Sequence, residues 1–549
     1  MTPEQPRPAS APLIVAIAEQ LERDPALSVT VDGRRWRLDE LDSQARALAG
    51  SFAQRVVPGE RIAVMARNGR LALLTWWAAT YCGAYLVPLN VNNRGAIVTH
   101  QLTDSEPVLL VAESEFTEVL VEAVADLQPV LPFVIGGSDS VDAVPGYAGE
   151  VLDFDALVEA GDPVVPDLEL DLSGTSHLVY TAGTTGPSKA CQVSHGYVAN
   201  MARQMRENLE RTAADRLWTA MPLFHLSAIG HVVGSLQLGS EITIARRFSV
   251  SRFWDDVLAA DATMVALMGS MLPMIARAPE TESSRAAYGK LRAASGSPVT
   301  EDLARQWQER FGVQRVGSGA YGMTEACLLT MTPAGEYRAG SAGMLNDSFE
   351  VQIVDERDNP LPVGQIGEIV CRPKLPNIMF TGYWRQPEKS LEVFRGLWFH
   401  CGDFGRMDAD GYLYFVDRGK DYLRRGGENI SSYEIESIVA QHPQVREAAV
   451  HAVFSPLNED EVKVTVVAND DSTLDPAELF EWIRPRVPRY AVPSHIEIRG
   501  ELPKNAVGRV LKRELREQGV TAATWSTDPR AQEDRGAAVH NAVATSAGG

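Results

Sequence analysis

The stretch from Tyr180 to Ala190, YTAGTTGPSKA, carries the chemical groups that bind a polyphosphate. Its donors are hydroxyls, glycine amides and one ammonium group, at Thr181, Thr184, Thr185, Gly183, Gly186 and Lys189. Amides and hydroxyls donate hydrogen bonds to phosphate oxygens, and a lysine neutralises their charge. The spacing is not that of a Walker loop. Taken alone, a Gly/Thr stretch of this kind is more often an ordinary surface turn.

A second stretch, from Gly317 to Glu325, combines three glycines with polar and aromatic side chains. Tyr321 to Glu325 supplies an aromatic ring, a hydroxyl at Thr324 and a carboxylate. Taken alone, Glu325 is equally typical of a solvated helix carboxylate. The glycines Gly317, Gly319 and Gly322 match G-x-G-x-x-G by letter. That match is weak, because a dinucleotide fingerprint must close a strand and open a helix.

Composition limits the class of protein. The chain has 549 residues, too many for one hydrophobic core, so two or more domains are expected. With 51 basic and 72 acidic residues the net charge is −21, which disfavours nucleic acid or an anionic membrane as the main partner. The five cysteines are scattered without metal-ligand spacing, and we expect reduced thiols in a cytoplasm. Neither a signal peptide nor a membrane span is predicted.

Strands and helices alternate through the first half of the chain, as in a doubly wound α/β fold. Val29 to Leu38 predicts a hairpin around Asp32-Gly33, and Leu38 to Phe52 has the apolar spacing of one helix face. Buried strands are predicted at residues 61–65, 84–88, 107–112, 132–135, 177–180, 241–245, 263–267 and 291–294. The phosphate-type stretch therefore follows a buried strand.

The apolar period later falls to two, from Phe349 to Arg372, which predicts a small antiparallel barrel or sheet. A last unit mixes strands at 447–453 and 462–468 with a helix at 433–441. We divide the chain into an N-terminal domain, 1–418, a smaller C-terminal domain, 419–523, and a disordered tail, 524–549. The predicted fold class is α/β, with layered α/β subdomains, a small β-barrel and an α+β C-terminal domain.

These stretches, in this order, resemble the motifs of the adenylate-forming superfamily of acyl-CoA synthetases, adenylation domains and luciferases. The resemblance extends to Arg513. Within the superfamily, the overall sequence is most similar to acyl-CoA synthetases of the carnitine/crotonobetaine and fatty-acid type. It implies that Tyr180 to Ala190 forms the phosphate-binding loop, in which Thr184 and Lys189 are catalytic. It implies that Tyr321 stacks on adenine, Thr324 contacts phosphate and Glu325 binds Mg²⁺.

The resemblance gives roles to two further places in the N-terminal domain. His225 would be the gate between the nucleotide and acyl pockets, although a lone histidine is more often a core or loop residue. Family members that activate α-amino acids carry aspartate at that position, so an amino-acid substrate is disfavoured. Ser295-Gly296-Ser297 resembles the strand end beside the adenine and the acyl carbonyl.

The resemblance implies that residues 1–418 form the nucleotide- and acyl-binding domain and that residues 419–523 form a mobile C-terminal domain, and it covers the junction between them. Asp403 would accept hydrogen bonds from the ribose hydroxyls, Arg418 would contact the ribose, and Lys420 occupies the hinge position. Gly426-Gly427-Glu428 matches the motif along which the pantetheine arm of coenzyme A passes. Glycine lets backbone approach a ligand closely, but the same residues are also typical of a turn before a helix.

Elements of the adenylation half-reaction depart from the family pattern. Arg509 holds the position of the lysine that binds the α-phosphate and the carboxylate, and the phosphate loop ends Pro187-Ser188-Lys189-Ala190 instead of Pro-Lys-Gly. Arginine keeps the charge but is bulkier and planar. Loss of one well-aimed transition-state donor costs about a hundred- to a thousandfold in rate. Cys401 also replaces the usual threonine before Gly402-Asp403.

The sequence therefore predicts an AMP-forming acyl-CoA ligase. MgATP and a carboxylic acid would give acyl-AMP and pyrophosphate, and coenzyme A would then displace AMP. One alternative is a ligase that only transfers a preformed acyl-adenylate to coenzyme A. Two others are an enzyme that loads a carrier protein, which the negative charge mildly opposes, and a nucleotide-binding protein without catalysis. The acid and the oligomeric state, monomer or homodimer, stay open.

Overall fold

The computed structural model describes residues 12–137, 144–165, 171–181, 187–269, 271–297, 299–317, 319–332, 336, 338, 340–418, 422–425, 428–454, 459–469, 473–504 and 510–527. The chain forms two compact units. The first contains Met1–Val91, Val98–Thr181 and Lys189–Gly419. The second contains Lys420–Gly549 with two short segments, Asn92–Ile97 and Ala182–Ser188. Both short segments lie within residues 1–418, which the sequence predicts as the N-terminal domain.

Two seven-stranded sheets form the centre of the first unit. Their strands are β1 (Ser28–Val31), β2 (Arg34–Arg37), β3 (Arg61–Met65), β4 (Tyr85–Pro88), β5 (Leu109–Glu113), β6 (Phe133–Gly136) and β7 (Val151–Asp153). They continue with β8 (Thr175–Thr181), β9 (Lys189–Ser194), β10 (Leu217–Thr219), β11 (Ile242–Ile244), β12 (Met264–Ala266), β13 (Ala293–Ser295) and β14 (Arg315–Val316). The orders are β14-β13-β12-β10-β11-β1-β2 and β7-β6-β5-β3-β4-β8-β9. Neighbours pair in parallel except for the edge pairs β1–β2 and β8–β9.

Helices connect these strands. They are α1 (Leu13–Arg23), α2 (Leu38–Phe52), α3 (Arg70–Tyr81), α4 (Ala96–Ser105), α5 (Thr117–Val124), α6 (Phe154–Ala160), α7 (His195–Asn208) and α8 (Leu226–Leu238). Further along lie α9 (Phe253–Ala259), α10 (Met271–Arg277), α11 (Glu282–Ala286), α12 (Glu301–Phe311) and α13 (Pro387–Glu392). None of the helices in the described part of the chain has the length and apolar character needed to cross a membrane. The alternation of strand and helix confirms the predicted α/β class.

The apolar patterns explain why these elements pack as they do. In α2 the predicted stripe is buried, with Leu38, Leu48 and Phe52 at most 1% exposed. In α3 the apolar residues surround the helix, and Trp76 and Trp77 are both buried. Burying one large apolar side chain contributes about 1.5–3 kcal/mol, so such stripes determine which face turns inward. The predicted hairpin, helices and strands of this region are confirmed.

Antiparallel elements complete the first unit. β15 (Ala320–Met323) and β16 (Cys327–Met331) form a hairpin. A five-stranded sheet contains β17 (Phe349–Val354), β18 (Gly367–Pro373), β19 (Phe394–Arg395), β20 (Trp398–Met407) and β21 (Leu413–Arg418). In β17 the alternating residues Phe349, Val351 and Ile353 are buried, which is the period of two seen in the sequence. This sheet is the small antiparallel element that the sequence predicts.

The second unit contains two smaller sheets. β22 (Tyr422–Arg425) and β23 (Glu428–Ser431) form a hairpin. A four-stranded sheet follows, in the order β24 (Val445–Phe454), β25 (Asp460–Ala468), β26 (His495–Arg499) and β27 (Trp525–Ser526). The helices are α14 (Ser432–Val439), α15 (Pro476–Ile483) and α16 (Lys512–Gln518). The two strands and the helix that the sequence places here are confirmed.

The predicted disordered tail is wrong at its start. Thr524 is buried and donates its hydroxyl to Glu497 Oε2 at 2.7 Å, and β27 pairs with β26. A buried carboxylate needs such donors, and Glu497 also accepts a hydrogen bond from the ammonium of Lys463. A strand of two residues leaves no periodic signal in the sequence, so the prediction missed it. The rest of the predicted tail, from residue 528, lies outside the described residues.

The buried His177 in β8 makes the stability of the first unit depend on pH. Burial lowers the pKa of its imidazole to about 3, and neither ring nitrogen has a hydrogen-bond partner among the described residues. Between pH 6.5 and 3 the unfolded chain therefore binds a proton that the folded chain refuses, and stability falls as the pH falls.

We expect His177→Phe to remove this penalty, since phenylalanine has a similar volume and no ionisable group. Between pH 7 and 4.5 the variant should lose about 2 kcal/mol less free energy of unfolding than the unsubstituted protein. Denaturant unfolding at the two pH values, followed by tryptophan fluorescence, measures this difference. If the free energy of unfolding falls equally in the variant and in the unsubstituted protein, His177 is not the source of the pH dependence.

Candidate active site

The phosphate-type stretch joins β8 to β9, and the ends of these strands fix where it begins and ends. Thr181 and Lys189 are opposite partners in the antiparallel ladder. The Thr181 hydroxyl donates to the Lys189 carbonyl oxygen at 3.4 Å, and its Oγ1 lies 3.8 Å from Cys191 Sγ. Four predicted site residues of this stretch lie outside the described residues, namely Gly183, Thr184, Thr185 and Gly186.

Glu325 lies in the turn between β15 and β16, next to Thr324. The Tyr383 hydroxyl donates to Glu325 Oε1 at 2.9 Å. The Lys189 ammonium lies 4.7 Å from the centre of the Tyr383 ring. Burial, with the charge of Glu325, raises the pKa of the nearby Cys191 thiol well above its usual value. The structure thus places two predicted site residues, Lys189 and Glu325, on the same tyrosine.

The glycines of the G-x-G-x-x-G match serve close packing. Gly317 has a φ of +76°, a conformation that favours glycine. A Cβ on Gly319 would lie 2.6 Å from Gly343 Cα, and one on Gly322 would lie 1.9 Å from the Cys327 carbonyl oxygen. The β15–β16 hairpin follows β14 here, where a dinucleotide fingerprint requires a helix. The weak match is therefore not a dinucleotide site.

Tyr321 and Asp403 lie together. The Tyr321 hydroxyl donates to Asp403 Oδ2 at 2.7 Å, and the Tyr321 and Phe415 ring centres are 6.2 Å apart. Asp403 is opposite Arg418 in the β20–β21 ladder, so the two residues predicted to contact ribose are register partners. Burial, with the neighbouring Cys371, raises the pKa of the Cys401 thiol well above its usual value.

A half-buried carboxylate, that of Glu368, holds the backbone that leads into Asp403. Gly402 has a φ of +72°, and its amide donates to Glu368 Oε1 at 3.2 Å. The other oxygen of Glu368 lies 2.9 Å from His400 Nδ1 and 3.3 Å from an Arg395 guanidinium nitrogen. Sequence reasoning missed Glu368, because a glutamate in an alternating strand has no local signal of such a contact.

The remaining predicted residues of the first unit lie at strand and helix ends. His225 is half-buried at the position before α8, with its ring centre 4.8 Å from that of Phe224. Ser295 ends β13, and the Ser297 hydroxyl donates to the carbonyl oxygen of Ala320 at 3.4 Å. A Cβ on Gly296 would lie 2.6 Å from Leu272 Cδ1, so that position accepts only glycine without movement of the leucine. The Ser295–Ser297 segment therefore adjoins the start of β15.

Four predicted residues of the second unit lie outside the described residues: Lys420, Gly426, Gly427 and Arg509. Glu428 begins β23. Lys512 donates to Ser432 Oγ at 2.8 Å and pairs with Glu436 Oε1 at 2.8 Å, so its ammonium supports the start of α14. The Ser188 amide donates to Glu434 Oε1 at 2.8 Å.

Comparison with known proteins identifies the family. The family model for AMP-binding enzymes matches residues 16–384, and the model for their C-terminal domain matches residues 434–509. The chain belongs to the AMP-binding enzyme family. The predicted family is thereby confirmed.

Relatives of this AMP-binding enzyme include two types of CoA-linked enzyme. A feruloyl-CoA synthase of Amycolatopsis sp is 32% identical over 497 residues, which cover 89% of this chain and 95% of the relative. A crotonobetaine/carnitine–CoA ligase of Salmonella typhi is 29% identical over 475 residues, covering 83% and 88%.

Solved structures show the same fold. A double mutant of o-succinylbenzoate CoA synthetase from Bacillus subtilis, bound with its product analogue, has a TM-score of 0.78 at 24% identity, covering 92% of this chain and 98% of that one. The amide bond synthetase McbA from Marinactinospora thermotolerans has a TM-score of 0.80 at 24% identity, covering 91% and 99%. At these identities the likeness concerns the fold alone.

We expect Tyr321→Phe to weaken AMP binding about tenfold, because a hydrogen bond to a charged group contributes about 1.5–3 kcal/mol and fixes the Asp403 side chain. The substitution keeps the aromatic ring. Calorimetric titration with AMP measures the change. Tyr414→Phe is a matched control, because the Tyr414 hydroxyl donates to Asp408 Oδ2 at 3.1 Å. Equal affinity in both variants would show that Asp403 needs no support from Tyr321.

Proposed function

We propose that this protein is an acyl-CoA ligase that activates a carboxylic acid as its acyl-adenylate. The observation that carries the proposal is the meeting of Lys189 and Glu325 on Tyr383 in a chain of the AMP-binding enzyme family. The Lys189 ammonium is suited to binding a phosphate group, and the Glu325 carboxylate is suited to binding the metal ion that accompanies it. The named relatives are CoA synthases and ligases, which belong to the predicted class of acid–thiol ligases.

The reaction would run in two steps. A carboxylate oxygen of the acid attacks the α-phosphorus of ATP, forming acyl-AMP and releasing pyrophosphate. The sulfur of coenzyme A then attacks the acyl carbon, forming the thioester and releasing AMP. Between the steps the C-terminal domain would turn about the hinge at Lys420. Lys189 and Thr184 would bind the phosphates, and Thr324 would contact a phosphate.

The residues present fit Mg²⁺ and a nucleotide. Glu325 is a half-buried carboxylate with one oxygen fixed by Tyr383, and magnesium accepts one carboxylate with phosphate oxygens and water. When bound, the ion neutralises charge on the phosphates. Tyr321 would stack on adenine and Asp403 would accept hydrogen bonds from the ribose hydroxyls. His225 would line the passage from the nucleotide to the acid.

The names of the relatives suggest a chemical class for the carboxylic acid substrate. Two of the three acids in these names, ferulic acid and crotonobetaine, are α,β-unsaturated, whereas carnitine is saturated. We therefore propose an α,β-unsaturated organic acid as the first substrate class to test, with the saturated analogues as controls. Coenzyme A is the proposed acceptor of the acyl group. The proposed oligomeric state is a homodimer, and the proposed location is the cytoplasm.

Arg509 favours a second candidate function. The arginine stands where the family has the lysine that binds the α-phosphate, and a planar guanidinium does not replace a point charge freely. In this second candidate function, the protein binds a preformed acyl-adenylate and catalyses only the transfer of its acyl group to coenzyme A.

A paired assay separates the two candidates. One reaction follows pyrophosphate release from ATP with the panel of acids, and the other follows thioester formation from synthetic acyl-AMP and coenzyme A. Activity in both reactions means a complete ligase. Thioester formation without pyrophosphate release means a transfer-only ligase, and inactivity in both contradicts the proposed function.

We expect Arg509→Lys to raise the rate of pyrophosphate release by about a hundred- to a thousandfold, because it restores an ammonium aimed at the α-phosphate. The rate of the acyl-AMP reaction should stay within about twofold, since that step begins after pyrophosphate has left. Arg499→Lys, outside the motif, is the control and should change neither rate. No gain in pyrophosphate release would refute the role given to position 509.

A further inference from the structure

We infer that Tyr383 is the positioning residue that links the metal carboxylate Glu325 to the phosphate-loop lysine Lys189. The inference rests on the proposed function, because it takes Glu325 as the magnesium ligand. The hydroxyl of Tyr383 donates to Glu325 Oε1 at 2.9 Å, and its ring faces the Lys189 ammonium at 4.7 Å. One side chain therefore contacts both charged groups through different parts of its surface.

The backbone around Tyr383 is held against the strand that begins at Lys189. The Gln192 amide donates to the Gly382 carbonyl oxygen at 2.9 Å, and the Thr381 amide donates to the Gln192 carbonyl oxygen at 2.9 Å. The Trp384 amide donates to the Ala190 carbonyl oxygen at 2.8 Å. Cys191 and Tyr383 are partners in an isolated antiparallel bridge. Residues 381–384 therefore continue the sheet beyond β9.

Further contacts fix the tyrosine and the carboxylate. The Tyr383 amide donates to Ser390 Oγ at 2.8 Å, and the Tyr383 side chain is buried. The Phe380 amide donates to the Glu325 carbonyl oxygen at 2.9 Å, which joins the β15–β16 turn to the same segment. The ring and the carboxylate thus approach each other from two backbones that are hydrogen-bonded together.

The chemistry of tyrosine suits this place. Its hydroxyl donates to the ionised carboxylate and uses one of the two oxygens, so a metal ion can take the other. Its ring face attracts an ammonium group through the negative side of the aromatic quadrupole. Because the tyrosine is neutral, it holds the carboxylate and the ammonium in place without cancelling either charge. Phosphate and metal then meet charges that already have fixed positions.

Two variants separate the two contacts. Tyr383→Phe keeps the ring and removes the hydroxyl, whereas Tyr383→Leu removes both. The first measurement is Mn²⁺ binding, followed by electron paramagnetic resonance, with the α,β-methylene analogue of ATP present. The second is calorimetric binding of the same analogue in EDTA, without any metal.

For Tyr383→Phe we expect the dissociation constant of Mn²⁺ to rise about tenfold, the effect of removing the partner of a ligating carboxylate. Metal-free binding of the analogue should stay within about twofold. For Tyr383→Leu, metal-free binding should also weaken, by about threefold, because the ammonium loses the ring beneath it. A role confined to folding would shift both measurements together in both variants, and that result would overturn the inference.

The controls separate this inference from the proposed function. Tyr414→Phe loses a hydroxyl–carboxylate contact elsewhere in the first unit and should bind Mn²⁺ like the unsubstituted protein. Glu325→Gln should bind Mn²⁺ at least as weakly as Tyr383→Phe. If the unsubstituted protein binds no Mn²⁺ with the analogue, or Glu325→Gln binds it normally, the magnesium role of Glu325 fails. If Glu325→Gln loses Mn²⁺ and Tyr383→Phe does not, only the inference about Tyr383 fails.

Discussion

Backbone pairing at the edge of the second large sheet holds together segments that are far apart in the sequence. β9 pairs with β8 on one side and with residues 381–384 on the other. The hydrogen bond from the Phe380 amide to Glu325 adds the β15–β16 turn to the same region. Side chains at Lys189, Glu325 and Tyr383 meet because the backbones that carry them are fixed to one another. The chemistry of this region depends on those main-chain bonds.

Charge makes this fixed geometry important. The chain has a net charge of −21, and its nucleotide is also an anion. At about 0.1 M salt, exposed charges more than about 10 Å apart are largely screened, so local contacts decide whether a phosphate group can bind. A cation such as Lys189, supported by an aromatic ring, supplies local attraction. The half-buried carboxylate of Glu325 then needs a defined hydrogen-bond donor, since removing a charge from water without a partner is costly.

The sequence predicted the parts of the fold that depend on regular patterns. The apolar stripe of α2, the hairpin of β1 and β2 and the alternation in β17 each have a period that a single sequence shows. The motifs predict Lys189, Glu325, Tyr321 and Asp403 as parts of one family's site. The structure then brought them together in pairs, Lys189 and Glu325 on Tyr383, and Tyr321 with Asp403.

Contacts between distant segments could not be predicted in this way. Tyr383 lies 58 residues after Glu325, and nothing about a tyrosine in that stretch indicates which carboxylate it reaches. Glu368 and the Gly402 amide are 34 residues apart and meet only because β18 and β20 are neighbours. The strand β27 is missed because two residues carry no period. In each case the information lies in tertiary pairing and not in local composition.

The pairing of β9 with residues 381–384 also bears on synthesis. The ribosome synthesises the chain from the N-terminus to the C-terminus, so β8 and β9 are complete long before Tyr383 has been added. Until then one edge of β9 has unpaired amides and carbonyls, and such edges attract other strands. Closing so long a loop is entropically costly, and non-local pairing of this kind forms late and slowly. Most of the first unit must therefore be synthesised before the site of Lys189, Glu325 and Tyr383 can form. The nascent chain is most prone to misassociation during that interval.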